Sequence, residues 1–358
     1  MLSVRKLLFV LILLAFFGTA LFLLSGCQTD QATPPSPSMA ASPQAVVYTS
    51  IYPLFDFTQK IGGDKVTVLN ITPADSDPHS FEPSSKLIAD LSKASLFLYH
   101  GAGMEPYLEK LQATLQRSPL LMIEASRGIS LIKHEHPKDE QAHETHRSGE
   151  TGSNKTDSHE KATHQAVPQQ HGDSSTHKTH RHAQTDPHTW LSPLCAQELC
   201  HNILQALIQI APEHEASFAA NYQKLEQQLQ ELHRDYQRVL AACPRKEIVV
   251  THEAFGYLCR EYGLTQVPMM GLSAEAEPTP GTLKEIINFV RKHKIKYIFF
   301  ESLYSPKVAE TITRETNTKL LPLNPLGSLT EEAVANGEDY FSVMRQNLQN
   351  LKLALEEK

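Results

Sequence analysis

The sequence predicts an α/β protein of two similar lobes, each with a four-stranded, mainly parallel sheet flanked by helices, joined by one long rigid helix. Three observations carry that reading. From residue 45 onward, short β-branched or apolar runs alternate with amphipathic stretches. Four such runs stand on each side of a central segment, and that segment carries a single apolar stripe at steps of four and three. With 358 residues, 41% hydrophobic and 20% charged, the chain is long enough for two cores of ordinary size.

The first lobe is placed at 45–211. Its strands are expected in "AVVYTSI", "VTVLNIT", "SLFLYH" and "LLMIEA", with "SSKLIADLSKA" reading as a helix among them. The connector is placed at 212–242. Phe218, Tyr222, Leu225, Leu229, Leu232, Tyr236 and Val239 fall on one face, with Gln, Glu, Lys and Arg between them. A helix of roughly thirty residues spans about 45 Å. Such a stripe suits either a coiled coil with another chain or a rod buried along both lobes; the stripe is short, which favours the rod and a monomer. The second lobe, 243–358, repeats the pattern with "EIVVTH", "VPMMGLS", "YIFFES" and "KLLPLN", and "TPGTLKEIINFVRKHK" has helical periodicity.

Before the lobes, Arg5 and Lys6 precede an apolar run from Leu7 to Leu24 and then "LSGC". Residues 1–26 read as a secretion signal. The "LSGC" stretch resembles the lipobox of bacterial lipoproteins, which implies cleavage before Cys27 and acylation of its thiol. An uncleaved anchor helix is the other reading, since about eighteen apolar residues just span a bilayer. Both place the rest of the chain outside the cytoplasmic membrane. Residues 27–44, rich in Pro, Ser, Ala, Thr and Gln, form a flexible tether.

Inside the first lobe, residues 133–185 are almost devoid of apolar side chains and are expected to be disordered, having too little surface to bury against the entropy of ordering. Ten of the eighteen histidines lie there: His134, His136, His143, His146, His159, His164, His171, His177, His180 and His182. Near neutral pH these imidazoles are mostly uncharged and open to metal as weak auxiliary ligands; below about pH 6 they become cationic.

A net charge of −7 and the absence of a basic stripe exclude a nucleic-acid function. Besides Cys27, cysteines stand at 195, 200, 243 and 259. Cys195 and Cys200 face different sides of one predicted helix. Cys243 and Cys259 either pair or remain buried thiols, and no CxxC zinc-knuckle spacing occurs.

In open parallel sheets, ligands bind beyond the carboxyl ends of the strands. Four residues take such positions: His79 in "PADSDPHSFEPS", His188 in "DPHTWLSP", His252 directly after "EIVVT", and Glu301 after "KYIFF". Any one of them alone would pass as a loop hydrogen-bonder or helix cap. The repeated Asp-Pro-His is harder to dismiss, because in both places proline stiffens the backbone before the imidazole and a helix start follows. Two residues from each lobe would meet where the sheets face each other, a pre-set metal trap.

These stretches resemble the zinc-binding lipoproteins of bacterial ABC importers, the ZnuA and AdcA type among metal-specific solute-binding proteins. The motifs that carry the resemblance are "DPHSFEPS", the His-rich insertion with "DPHTWLSP", "VVTHEAFGYLCREYGL", "YIFFESLYSPKVAETI" and "LNPLGSLT", and the resemblance covers residues 45–358. It implies two α/β lobes on one long helix, metal in the cleft, an ABC-type membrane permease as partner, and His79, His188, His252 and Glu301 as metal ligands. Three imidazoles and one carboxylate suit four-coordinate Zn²⁺, whereas two of each lean towards Mn²⁺. Manganese-binding relatives carry Glu at the position of His252, which makes that residue the discriminator.

A hydrolytic zinc enzyme would need an open coordination position and a base. Glu82 and Glu253 are near enough in sequence to serve, but no HExxH, GxSxG or phosphate loop is present, and four protein ligands close the site. Surface adhesion and zinc storage by the insertion are the remaining alternatives to transport.

Overall fold

The computed structural model describes residues 44–134, 184–272, 278–301, 303 and 305–356. The signal, the tether with Cys27, and the insertion histidines from His136 to His182 lie outside the described residues.

Lobe 1 opens with β1 (Ala45–Thr49) and α1 (Tyr52–Gly62). Pro53 sits in the first turn of α1, where a missing N–H costs nothing, and Gly63 ends the helix with φ of 55°. Leu54, Phe57 and Ile61, at helical spacing, are fully buried. Then come β2 (Val66–Asn70), α2 (Ser85–Leu91), β3 (Leu96–Tyr99), α3 (Leu108–Leu115) and β4 (Leu121–Glu124). The four strands form one parallel sheet in the order β2-β1-β3-β4, registered through Val47 on both Val68 and Leu96. The two-residue strands β5 (Lys133–His134) and β6 (Gln184–Thr185) pair antiparallel at the root of the insertion. Helix α4 (Pro193–Ile210) completes the lobe; Ser192 accepts the Cys195 N–H at its start.

The connector is α5 (Glu215–Ala242), 28 residues and so about 42 Å long. Phe218, Leu225, Leu229, Leu232, Tyr236 and Leu240 are buried along it. Tyr222 and Val239, expected on the stripe, are only partly buried, and Leu240 takes the inner position at the last turn. The stripe packs on α1 and α4 at one end and on the C-terminal helix at the other, so the chain itself covers what a coiled coil would cover.

Lobe 2 contains β7 (Glu247–Val250), α6 (Gly256–Tyr262), β8 (Thr265–Pro268), α7 (Pro280–Lys292), β9 (Tyr297–Phe300), α8 (Lys307–Thr316), β10 (Lys319–Pro322), α9 (Glu331–Ala335) and α10 (Tyr340–Glu356). Its four strands form two parallel pairs, β7 with β8 and β9 with β10, and β7 lies alongside β9. In place of the one four-stranded sheet expected from the sequence, the described residues of this lobe thus form two two-stranded sheets set side by side. β8 begins two residues before the apolar run "VPMMGLS" and stops at Pro268, because pairing with Glu247–Val250 sets its extent. Cys195, Cys200, Cys243 and Cys259 are all free thiols.

Candidate metal centre

Each Asp-Pro-His is a turn in which the aspartate accepts the N–H of the histidine two residues on. Asp77 Oδ1 accepts from His79 N at 2.9 Å, and Asp186 Oδ1 accepts from His188 N at 2.9 Å. The first turn hangs between β2 and α2; the second leads through the short 3₁₀ turn Thr189–Leu191 into α4. From the other lobe, His252 stands two residues past β7, and Glu301 is the first residue after β9. The carboxyl ends of parallel strands thus supply the second half of the centre, as the fold class requires.

His79, His188 and His252 form one cluster, with a ligating atom of each within 4.8 Å of the others. His79 Nε2 lies 3.1 Å from His188 Nε2, and His252 Nε2 lies 3.3 Å from it. Two nitrogens bound tetrahedrally to one Zn²⁺ at about 2.05 Å stand about 3.3 Å apart. A cavity of about 10 Å³ between these rings, lined also by Trp190 and Pro325, has room for one small guest.

The tautomers follow from what lies behind the rings. His188 Nδ1 is 2.9 Å from Asp186 Oδ1, and His252 Nδ1 is 2.6 Å from Glu301 Oε1. A carboxylate accepts, so both Nδ1 atoms donate and both Nε2 atoms face the centre. Burial, together with the neighbouring His188 ring, pushes His79 down to about 3. Burial and the His252 ring hold His188 well below the ordinary imidazole range. His79 and His188 are therefore neutral at physiological pH, the state in which an imidazole can bind a metal.

Of the four residues expected from sequence, the structure brings three imidazoles together. Glu301 stands one step behind them: its Oε1 accepts from His252 Nδ1 and from the Thr251 hydroxyl, while Oε2 is buried without a hydrogen-bond partner. His134 lies at the root of the insertion, in β5.

Sequence reasoning missed the supporting residues. Asp77 and Asp186 were visible as the repeated first letter of Asp-Pro-His, read only for its proline. Trp190 is fully buried, its ring 5.4 Å from that of His188, and its Nε1 donates to Pro325 O at 2.7 Å. His100, at the end of β3, packs edge-on to Trp190 and shares a 3.3 Å contact with Thr189 Oγ1; nothing in its sequence neighbourhood marks it. Burial pushes it down to about 3.

The chain is thus an α/β protein of two lobes on one helix, with imidazoles from both lobes converging on one small cavity, an arrangement that could hold a metal ion. The profile of the family described as "Zinc-uptake complex component A periplasmic" (ZnuA) matches residues 47–354, and the chain belongs to that family. The family is a component of an uptake complex, not an enzyme class.

Among its relatives, the zinc-binding lipoprotein AdcA of Streptococcus pneumoniae is 35% identical over 306 residues, which is 86% of this chain. The chain spans only about half of that protein, 55% of its length. The high-affinity zinc uptake system protein ZnuA of Bacillus subtilis is 33% identical over 86% of this chain and 87% of its own. The solved Zn(II)-bound ZnuA-like domain of S. pneumoniae AdcA superposes with a TM-score of 0.68 at 32% identity, covering 88% of this chain and 100% of that one. The laminin-binding protein Lmb of Streptococcus agalactiae, described as bifunctional with adhesin and metal transporting activity, superposes at 0.69 with 28% identity, over 87% of this chain and 99% of that one.

Proposed function

We propose that this protein captures Zn²⁺ outside the cytoplasmic membrane and hands it to an ABC-type permease for import. The observation that carries the reading is the convergence of three imidazole nitrogens, at 3.1 and 3.3 Å, on one small cavity. His79 and His188 come from lobe 1 and His252 from lobe 2, so cargo binding ties the two lobes together. Glu301 supplies the fourth ligand through Oε2, after a change of side-chain torsion that brings it forward from behind His252. Four protein ligands leave no open position for substrate chemistry, which fits binding and release and not catalysis.

Anchoring through acylated Cys27 would keep the chain beside its permease, and the relatives named as zinc-binding lipoproteins support that arrangement. No helix among the described residues is long and apolar enough to cross a membrane. The insertion histidines, tethered next to the cleft, would raise the local zinc concentration there. The adhesin reading rests on neighbours described as laminin-binding, Lmb among them, and transport is the reading the centre itself supports.

Zinc titration against a competing chelator, followed by Trp190 emission, tests the centre. Wild type should show one tight equivalent and His252→Ala none. A wild type without a tight equivalent, or a His252→Ala variant that keeps it, overturns the assignment. For delivery, zinc uptake by cells lacking this protein should return with the wild-type gene and not with His79→Ala.

A further inference from the structure

We propose that Tyr257 is a positioning residue whose hydroxyl clasps lobe 2 to both roots of the insertion and thereby sets His188 against His252. This rests on the metal centre proposed above.

Tyr257 lies in α6, five residues beyond His252, and is fully buried. Its hydroxyl accepts from Ile132 N at 3.1 Å and donates to Asp186 O at 2.7 Å. Those two residues flank the β5–β6 pair, and Asp186 N donates to Ile132 O at 2.9 Å. One hydroxyl therefore closes a ring with the two strands of chain that enter and leave the insertion. Asp186 in turn accepts from both the backbone and the ring of His188. The path from the lobe 2 ligand to the lobe 1 ligand is short: His252, the start of α6, the Tyr257 hydroxyl, Asp186, His188.

Two further contacts point to the same joint. The Arg260 guanidinium lies 4.8 Å over the Tyr257 ring, and its Nη1 donates to Ser130 O at 3.2 Å, again from lobe 2 to the chain entering the insertion. Gly256 admits the close approach: a Cβ there would stand 2.5 Å from Asp186 Oδ2. A pair of lobes held together by metal alone would pay the ordering cost at capture, and this joint settles part of it beforehand.

The test uses the full chain and measures the zinc off-rate into excess chelator, with Tyr257→Phe, Gly256→Ala and Tyr236→Phe compared. Tyr257→Phe keeps the ring and its packing and removes only the hydroxyl. Gly256→Ala pushes the same joint apart without removing any hydrogen-bonding group. Tyr236→Phe is the control, since it removes a buried hydroxyl that donates to Met344 O at 2.7 Å in the connector, away from the centre. Zinc release should speed up about tenfold in the first two, while the control keeps the wild-type rate even if its melting temperature falls. Wild-type release rates in both joint variants, or equal acceleration in the control, overturn the clasp. A wild type that binds no zinc overturns the metal centre instead, so the two failures are separable.

Discussion

Asp186 Oδ1 lies 2.9 Å from the backbone nitrogen of His188 and 2.9 Å from its Nδ1. One carboxylate oxygen therefore sets the turn, the ring orientation and the tautomer of a ligand. Its negative charge also offsets the charge an imidazole gains on binding a cation. In Asp186→Asn the amide oxygen can still accept, but without that charge. Zinc affinity should fall about 10–100-fold, measured by chelator competition, with the far-ultraviolet spectrum unchanged. Unaltered affinity would mean that the turn and not the carboxylate matters.

Glu301 has two roles that a pair of substitutions separates. If it only orients His252, Gln offers an oxygen to the ring and to Thr251, and Glu301→Gln should bind zinc within about tenfold of wild type, the smaller end of an outer-shell change. If it ligates through Oε2, a neutral amide is a poor substitute for a carboxylate. We expect the second pattern, with Glu301→Gln losing nearly as much affinity as Glu301→Ala, because a buried Oε2 without a partner has a use only when cargo arrives.

Acid should destabilise the apo protein, with a sign that follows from the buried groups. His79 and His100 are held at about 3 against 6.5 for a free imidazole, and His188 is lowered as well. Their contribution is present above pH 6.5 and is lost as pH falls towards 3, because the unfolded chain takes up the protons. Glu105 runs the other way. Burial raises it from 4.5 to about 7, although it accepts the N–H groups of His100 and Gly101, so its contribution is present below pH 4.5 and is lost as pH rises through 7. Between pH 6.5 and 4.5 three imidazoles oppose Glu105 and Asp56, whose carboxyl burial also raises, and acid should win. Each net proton is worth about 1.4 kcal/mol per pH unit. Urea midpoints of apo protein should fall over that range, and His100→Leu should remove one proton from the slope; equal midpoints at both ends would refute the assignment.

Much of this was legible in the chain because hydrophobic period and strand-end position are local signals. The four strands of lobe 1, the connector and the three clustered histidines follow from runs such as "EIVVTH" and from the repeated Asp-Pro-His. What was not legible depends on pairing between distant segments. β8 was displaced because its extent is set by Glu247–Val250, not by its own apolar run. Leu240 replaced Val239 at the inner position because the C-terminal helix, far along the chain, covers that turn. Glu301 was placed by order along the sheet, yet its Oε1 lies against His252, a choice made by Thr251 and the ring together. His100 and Tyr257 act through single hydrogen bonds to Thr189, Ile132 and Asp186, and no spacing rule marks such partners.

The insertion can be removed without breaking the centre, and the fold says where to cut. Its roots pair antiparallel, His134 opposite Gln184 and Lys133 opposite Thr185, so a two-residue Asn-Gly turn can join residues 134 and 184 directly. Ile132, Asp186 and His188 keep their bonds in that variant, because none lies between the cut points. The shortened chain should fold and retain one tight zinc equivalent, while the weak equivalents carried by the histidines from 136 to 182 disappear. Native mass spectrometry at increasing zinc, alongside chelator competition, distinguishes the two classes. If the tight equivalent vanishes with the weak ones, the high-affinity ligands are in the insertion, and the cluster of His79, His188 and His252 is not the capture site.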